Sequence, residues 1–182
     1  MSAAYSDLRA QIIDYVRRWP AEHEVAEQFL ALLDDPADPF VRERLEGHLT
    51  SGVWLVSADG QRILMTHHRK LDRWLQLGGH ADGDTDMARV ALKEAEEESG
   101  LSDLYVEGGI FDLDRHWIPE RKDVPGHWHY DVRYVVRANG SEDYVVSEES
   151  LDLAWRDIAP MVADVDVSIS RMAQKWLARD AA

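Results

Sequence analysis

The sequence predicts an α/β domain preceded by a helical extension. Three observations carry this. Helical periodicity recurs before residue 48, again from about residue 85 to 99, and again from 167 to 178. Short runs rich in β-branched and aromatic residues fill the intervals, bounded by Gly, Pro and Asp. Between the two sets, Leu77-Gly78-Gly79-His80-Ala81-Asp82-Gly83-Asp84 feeds a helix that ends Lys93-Glu94-Ala95-Glu96-Glu97-Glu98-Ser99-Gly100-Leu101.

Residues 1–48 form the helical extension. Leu8, Ile12, Tyr15 and Val16 share one helical face. Pro20 breaks that pattern and can open a second helix reaching about Leu33, because proline is tolerated in a first turn. A third short helix is expected from Phe40 to about Glu46. The extension is either a cover packed on the sheet, or a dimer arm or substrate lid.

Residues 49–182 hold the main domain. Val53–Val56 and Ile63–Met65 flank Ser57-Ala58-Asp59-Gly60, a hairpin signal. His67-His68-Arg69-Lys70 follows, either a polar strand end or a source of phosphate contacts, with Arg69 the candidate. Trp74–Leu77 is a short strand leading into the glycine loop.

In the helix after that loop, Asp84 or Thr85 can cap the start and Gly100 can end it. Ala88, Ala91, Leu92 and Ala95 form the core stripe. Glu94, Glu97 and Glu98 share an adjacent edge, spread over about 100° of the helical wheel. Like charges at these spacings cost roughly 0.2–0.5 kcal/mol per pair. Acids near a helix C-terminus cost a further ~0.3–1 kcal/mol each against the macrodipole. Either the acids form a solvated face, or a divalent cation between them would offset both costs, for which hard carboxylate ligands suit Mg²⁺, with Mn²⁺ as the alternative.

Further on, Leu104–Leu113 is expected as a strand interrupted at Gly108-Gly109, and Arg115–Gly126 as a long loop with a polar tip. His127–Val136 is a strand. Its alternation puts His127, His129, Asp131 and Arg133 on one face, facing solvent or a wet cleft, and Trp128, Tyr130, Val132 and Tyr134 on the other. His and Asp at this spacing also admit zinc, although the oxygen-rich helix favours Mg²⁺. Tyr144–Val146 and Leu151–Trp155 are short strands, Asp157–Met161 a short helix, and Val167–Ala178 a terminal helix with Ile169, Met172, Ala173 and Trp176 inward.

The glycine loop and acidic helix resemble the Nudix box, G-x5-E-x7-R-E-U-x-E-E-x-G-U, where U is a bulky aliphatic residue. Anchored at Gly79, the chain gives Gly79-x5-Thr85-x7-Lys93-Glu94-Ala95-x-Glu97-Glu98-x-Gly100-Leu101. Thr85 stands where Glu is expected, Lys93 where Arg is expected, and Ala95 is small. Asp84 could supply the first acid if the loop were one residue shorter. Lys93 keeps the charge of Arg but lacks its rigid fork.

The resemblance implies an α/β/α sandwich with a mixed sheet. It also implies Mg²⁺-dependent hydrolysis of a nucleoside diphosphate linked to another moiety, with Glu94, Glu97 and Glu98 as metal ligands. Glu97, Glu98 or Glu149 would be the general base, Glu149 because an acid before a Trp-bearing strand lies beside the metal in many relatives. Gly78 and Gly79 would let the diphosphate approach the backbone, and Arg69, His129, Asp131 and Arg133 would bind substrate. His127–Arg133 also resembles an H-x-H-x-D-x-R pattern in some family members. Two other readings compete: nucleoside triphosphate pyrophosphohydrolysis, and a non-catalytic nucleotide sensor.

The chain has 182 residues, of which 45% are hydrophobic and seven are Trp, enough for one domain with a sizeable core. Its net charge of −15 argues against a nucleic-acid groove and an anionic membrane surface. The absence of Cys excludes disulfides and thiolate catalysis, and it argues against the Cys-dependent isomerase branch of the superfamily. The first residues lack the basic and apolar regions of a signal peptide, and no apolar run approaches 18 residues. The expectation is a cytoplasmic protein acting on a small nucleotide derivative, as a monomer or a homodimer.

Overall fold

The structure is a computed structural model that describes residues 3–69, 72–121, 124–147 and 150–179. Helix α1 (Ala3–Arg18) is followed by a 3₁₀ turn at Pro20–Glu22 and helix α2 (His23–Asp34). Strands β1 (Gly47–Val56), β2 (Arg62–His68), β3 (Arg73–Leu75) and β4 (Leu77–His80) precede helix α3 (Met87–Ser99). Strands β5 (Leu104–Ile118), β6 (His127–Ala138) and β7 (Ser150–Asp157), a 3₁₀ turn at Ala159–Ala163 and helix α4 (Val167–Ala178) complete the order.

Among the described residues, seven strands form one mixed sheet. Its central path is β3-β2-β1-β6-β5, with β4 paired to β1 and β7 to β2. The parallel pair β1/β6 runs from Gly47↔Trp128 to Val56↔Arg137. Alternation along β1 sends Leu49, Val53 and Leu55 to one face, where they share a core with Leu8, Ile12, Phe29, Ala91, Ala95, Val132 and Tyr134. Trp54 and Val56 go to the other face, with Ile63, Met65, Val135, Ile169, Met172 and Trp176. Helices α1–α3 therefore cover one face and α4 the other, which is the α/β/α sandwich expected.

The extension packs as a cover. Lys175 of α4 reaches the edge of β5, where its Nζ donates to Asp112 Oδ1 and to the Tyr15 hydroxyl, each at 2.7 Å. The same Nζ lies 2.7 Å from Glu22 Oε1. These contacts tie the N-terminal helices to α4 around the sheet edge.

Several local expectations need correction. Phe40–Glu46 is a series of turns rather than a helix, since Asp38 Oδ1 accepts from Phe40 N and diverts the chain locally. The strand Trp74–Leu77 divides into β3 and β4, and β4 takes in Gly78, Gly79 and His80, so half of the glycine loop is strand. Strand β5 does not stop at Leu113 but continues to Ile118, paired with β6, and the loop shrinks accordingly. Cross-strand packing carries it: the Arg115 guanidinium lies 3.7 Å from the Trp128 ring centroid, and the Trp117 and Trp128 rings meet edge-on at 5.2 Å. The interruption expected at Gly108-Gly109 is a register shift between Glu107 and Asp112. Tyr144–Val146 is not a strand; Val145 N instead donates to Ser99 O at the end of α3. The cap of α3 is Asp86, which accepts from Arg89 N, rather than Asp84 or Thr85. Gly100 ends the helix in the left-handed conformation (φ 67°).

Candidate active site

The geometry is built on the contact between β4 and α3. The β1/β4 pairing sets Gly79 opposite Ser51 and Gly78 opposite Gly52. Ser51 points toward α3, its hydroxyl donating to Met87 O, so Gly79 faces α3 as well. A Cβ on Gly79 would lie 2.5 and 2.6 Å from the two carboxylate oxygens of Glu94. A Cβ on Gly78 would lie 2.5 Å from the Ser51 carbonyl oxygen. The Gly78 N–H donates to Glu98 Oε1 at 2.8 Å. Close approach thus accounts for both glycines, and two glutamates one helical turn apart converge on their backbone.

The third glutamate behaves differently. Glu97 is exposed, and its Oε2 lies 3.5 Å from Lys93 Nζ one turn earlier. Asp84 is clasped by Arg89, whose Nε and Nη2 donate to its two oxygens at 2.8 and 2.6 Å. That hydrogen bond is the main cause holding the Asp84 carboxyl below the usual carboxylate range. Asp82 is similarly held by Arg42, with Nε donating at 2.7 Å.

The polar face of β6 splits in two. Asp131 and Arg133 are buried instead of lining an open cleft. Arg133 Nε donates to Asp131 at 2.7 Å, Nη1 to Asp112 at 3.0 Å and Nη2 to Asp114 at 3.3 Å. Asp131 also accepts from the Thr50 hydroxyl at 3.0 Å. With every guanidinium nitrogen engaged, Arg133 is held as a structural ion and does not present itself to a ligand. Burial alone would raise the Asp112 carboxyl, but Arg171, Arg133 and Lys175 outweigh it and hold the group below its ordinary value.

His129 lies at the other, open end of that face and is half-buried. It meets His48 of β1 and His80 of β4, and one nitrogen from each lies within 4.8 Å of the others. Burial and the surrounding imidazoles push His129 down to about 2, and burial pushes His80 down to about 4, so both rings are neutral at pH 7. His48 and His80 escaped the sequence reading because they are distant in the chain. The clue was present in the H-x-H pattern and in the histidine closing the glycine run. Arg69 is exposed and donates to Ser150 O at 2.9 Å. Glu149, Glu148 and Lys70 lie outside the described residues.

Carboxylates converging on a strand of glycines can hold a hard cation beside a close-approaching anion. The NUDIX domain family model matches residues 47–172, from the start of β1 into α4. The chain belongs to the Nudix family. It is a pyrophosphohydrolase of the Nudix type.

Solved Nudix structures share the fold at low identity. An Ap4A hydrolase of C. elegans aligns at 16% identity and TM-score 0.56, over 73% of this chain and 97% of its own. A MutT protein of Methanosarcina mazei gives 13% and 0.57, over 76% and 99%. The dihydroneopterin triphosphate pyrophosphohydrolase of E. coli gives 16% and 0.55, over 72% and 95%. No curated protein matches the sequence. Among the described residues, no helix is long and apolar enough to cross a membrane.

Proposed function

We propose that this Nudix protein hydrolyses the diphosphate of a nucleoside diphosphate linked to a second moiety, such as a sugar in an ADP-ribose-like substrate. The observation that carries the reading is the convergence of Glu94 and Glu98 on the Gly78-Gly79 backbone. The donor set fits Mg²⁺ or Mn²⁺: all oxygen, anionic, and gathered where a single added methyl group would intrude. Glu94, Glu97 and Glu98 would hold the ion, which supplies charge neutralisation at the diphosphate and lowers the pKa of attacking water.

The chain's own groups do the rest. Gly78 and Gly79, whose missing side chains make room for the Ser51 carbonyl and the Glu94 carboxylate, would let this strand backbone lie close to the diphosphate. The Gly78 N–H fixes one oxygen of Glu98, which orients that carboxylate toward the site. A carboxylate takes a proton from the attacking water, with Glu98 and Glu97 on α3 and Glu149 before β7 as the candidates. Arg69 is the group proposed to contact the substrate beyond the diphosphate; His129 lies on the sheet face opposite Gly79 and Glu94 and does not take that role.

A panel of nucleotide sugars, dinucleoside polyphosphates and nucleoside triphosphates, assayed with and without Mg²⁺, tests this. Release of nucleoside monophosphate from a diphosphate-linked substrate is expected. Release of pyrophosphate from triphosphates alone would favour triphosphate pyrophosphohydrolysis, and ligand binding with no turnover of any substrate in the panel would overturn the proposed reaction.

A further inference from the structure

We propose that His48, His80 and His129 bind a divalent ion of the zinc class, at a site separate from the glutamates of α3. The proposal does not rest on the choice of substrate.

Strand register builds the site. Thr50 pairs with His80 across β1/β4, and His48 with His129 across β1/β6. Three neighbouring strands therefore bring their histidines to one end of one face, with ligand nitrogens within 4.8 Å of one another. That face is opposite to the one used by Gly79 and Glu94, because His80 and Gly79 are successive residues of a strand.

The tautomers suit ligation. His48 Nδ1 lies 3.1 Å from the Arg44 carbonyl, which can only accept, so Nδ1 carries the proton and Nε2 the lone pair. A metal-bound imidazole is oriented by this kind of outer hydrogen bond. His48 is only 3% exposed, and its Nε2 is buried with no hydrogen-bond partner among the described residues. Leaving such an atom unsatisfied is costly, and a cation at the cluster satisfies it. His127 flanks the site, and its Nε2, unlike that of His48, has a partner. Its Nδ1 lies 2.8 Å from the Pro125 carbonyl, and its Nε2 lies 3.2 Å from His129 Nε2.

Packing alone does not account for the group. The rings of His127 and His129 each lie 5.0 Å from that of His48, and His80 lies 5.2 Å from it. Apolar side chains would fill this space without burying a lone pair. Neutral imidazole nitrogens select zinc and its neighbours over Mg²⁺. Three histidines leave the fourth position of a tetrahedral ion for a water or an oxygen ligand.

The test uses metal alone with the full chain stripped by chelator. Co²⁺ should bind at one equivalent with the strong visible absorption of a four-coordinate, nitrogen-ligated ion, and Zn²⁺ should displace it. His80→Gln and His129→Gln should weaken this by about a hundredfold, while Glu94→Gln should leave it intact. Undiminished binding in both histidine variants, or loss of the band in Glu94→Gln, would overturn the site. Wild-type protein loaded with Co²⁺ gives a second measurement that needs no variant to fold. Hyperfine-shifted, exchangeable imidazole N–H proton signals are expected in its NMR spectrum, and their absence would also overturn the proposal.

Discussion

Gly79→Ala isolates the position of the Glu94 carboxylate from the stability of the fold. The added Cβ would stand 2.5 and 2.6 Å from the Glu94 oxygens, whereas ordinary contact begins at 3.4 Å. The nearest Glu94 atom, Cδ, would be 2.4 Å away, so the carboxylate must retreat by about 1 Å, which it can do by rotating a flexible side chain, without moving backbone. Gly79 carries no left-handed φ, so alanine suits its extended backbone. Stability should change by less than about 1 kcal/mol, within the range of substitutions that neither open a cavity nor strain the backbone. A misplacement near 1 Å at a catalytic group can cost about a hundredfold. We expect kcat/KM to fall by about 10–100-fold, or roughly 1.4–2.7 kcal/mol of transition-state stabilisation. The apparent requirement for Mg²⁺ should rise with it. The assay is initial-rate hydrolysis across a Mg²⁺ titration, alongside a urea melt. Unchanged kcat/KM and unchanged Mg²⁺ dependence would refute the claim that Glu94 over Gly79 is part of the metal cradle.

Three other outcomes follow from the same geometry. Arg133→Met should destabilise the fold by about 3–5 kcal/mol, because it removes the cation shared by three aspartates, two of them fully or nearly fully buried; an unchanged urea midpoint with a raised KM would instead make Arg133 a ligand contact. Lys93→Arg should leave turnover within about twofold, since Lys93 makes an exposed pair with Glu97 and arginine keeps the charge; a large loss would show a separate role for the lysine. His80 and His129 are held at about 4 and about 2 in the fold against an ordinary 6.5, so the unfolded chain takes up protons first as pH falls below about 6.5. Stability is full above that pH and should drop by about 1.4 kcal/mol per histidine on reaching pH 5.5 with chelator present; equal urea midpoints at pH 7.5 and 5.5 would contradict it.

Helical faces were the most legible part of the sequence. The α4 stripe of Ile169, Met172, Ala173 and Trp176 is buried as its spacing predicts, because one amphipathic face against a sheet leaves little choice. The Ser57–Gly60 turn and the Gly100 stop were also readable from local chemistry. Strand limits were not. Arg115 and Trp117 resemble loop residues in isolation, and only their stacking against Trp128 makes them strand. The polar face of β6 misled for a similar reason. Alternation placed Asp131 and Arg133 together, but their burial depends on Asp112, Asp114 and Arg171, which arrive from β5 and α4. The edge shared by Glu94 and Glu98 could be read from helical spacing, whereas their convergence on Gly78 and Gly79 required the β1/β4 register. The histidine cluster is wholly a product of strand pairing.

The central claim is that carboxylates of α3 hold the divalent ion on which hydrolysis depends. Its most direct test is the Mg²⁺ dependence of turnover in wild-type protein, Glu97→Gln and Glu98→Gln, with circular dichroism confirming that each is folded. Loss of one ligand charge should lower kcat by about two orders of magnitude or more and shift Mg²⁺ saturation upward. Near-normal, Mg²⁺-independent turnover in both folded variants would contradict the account.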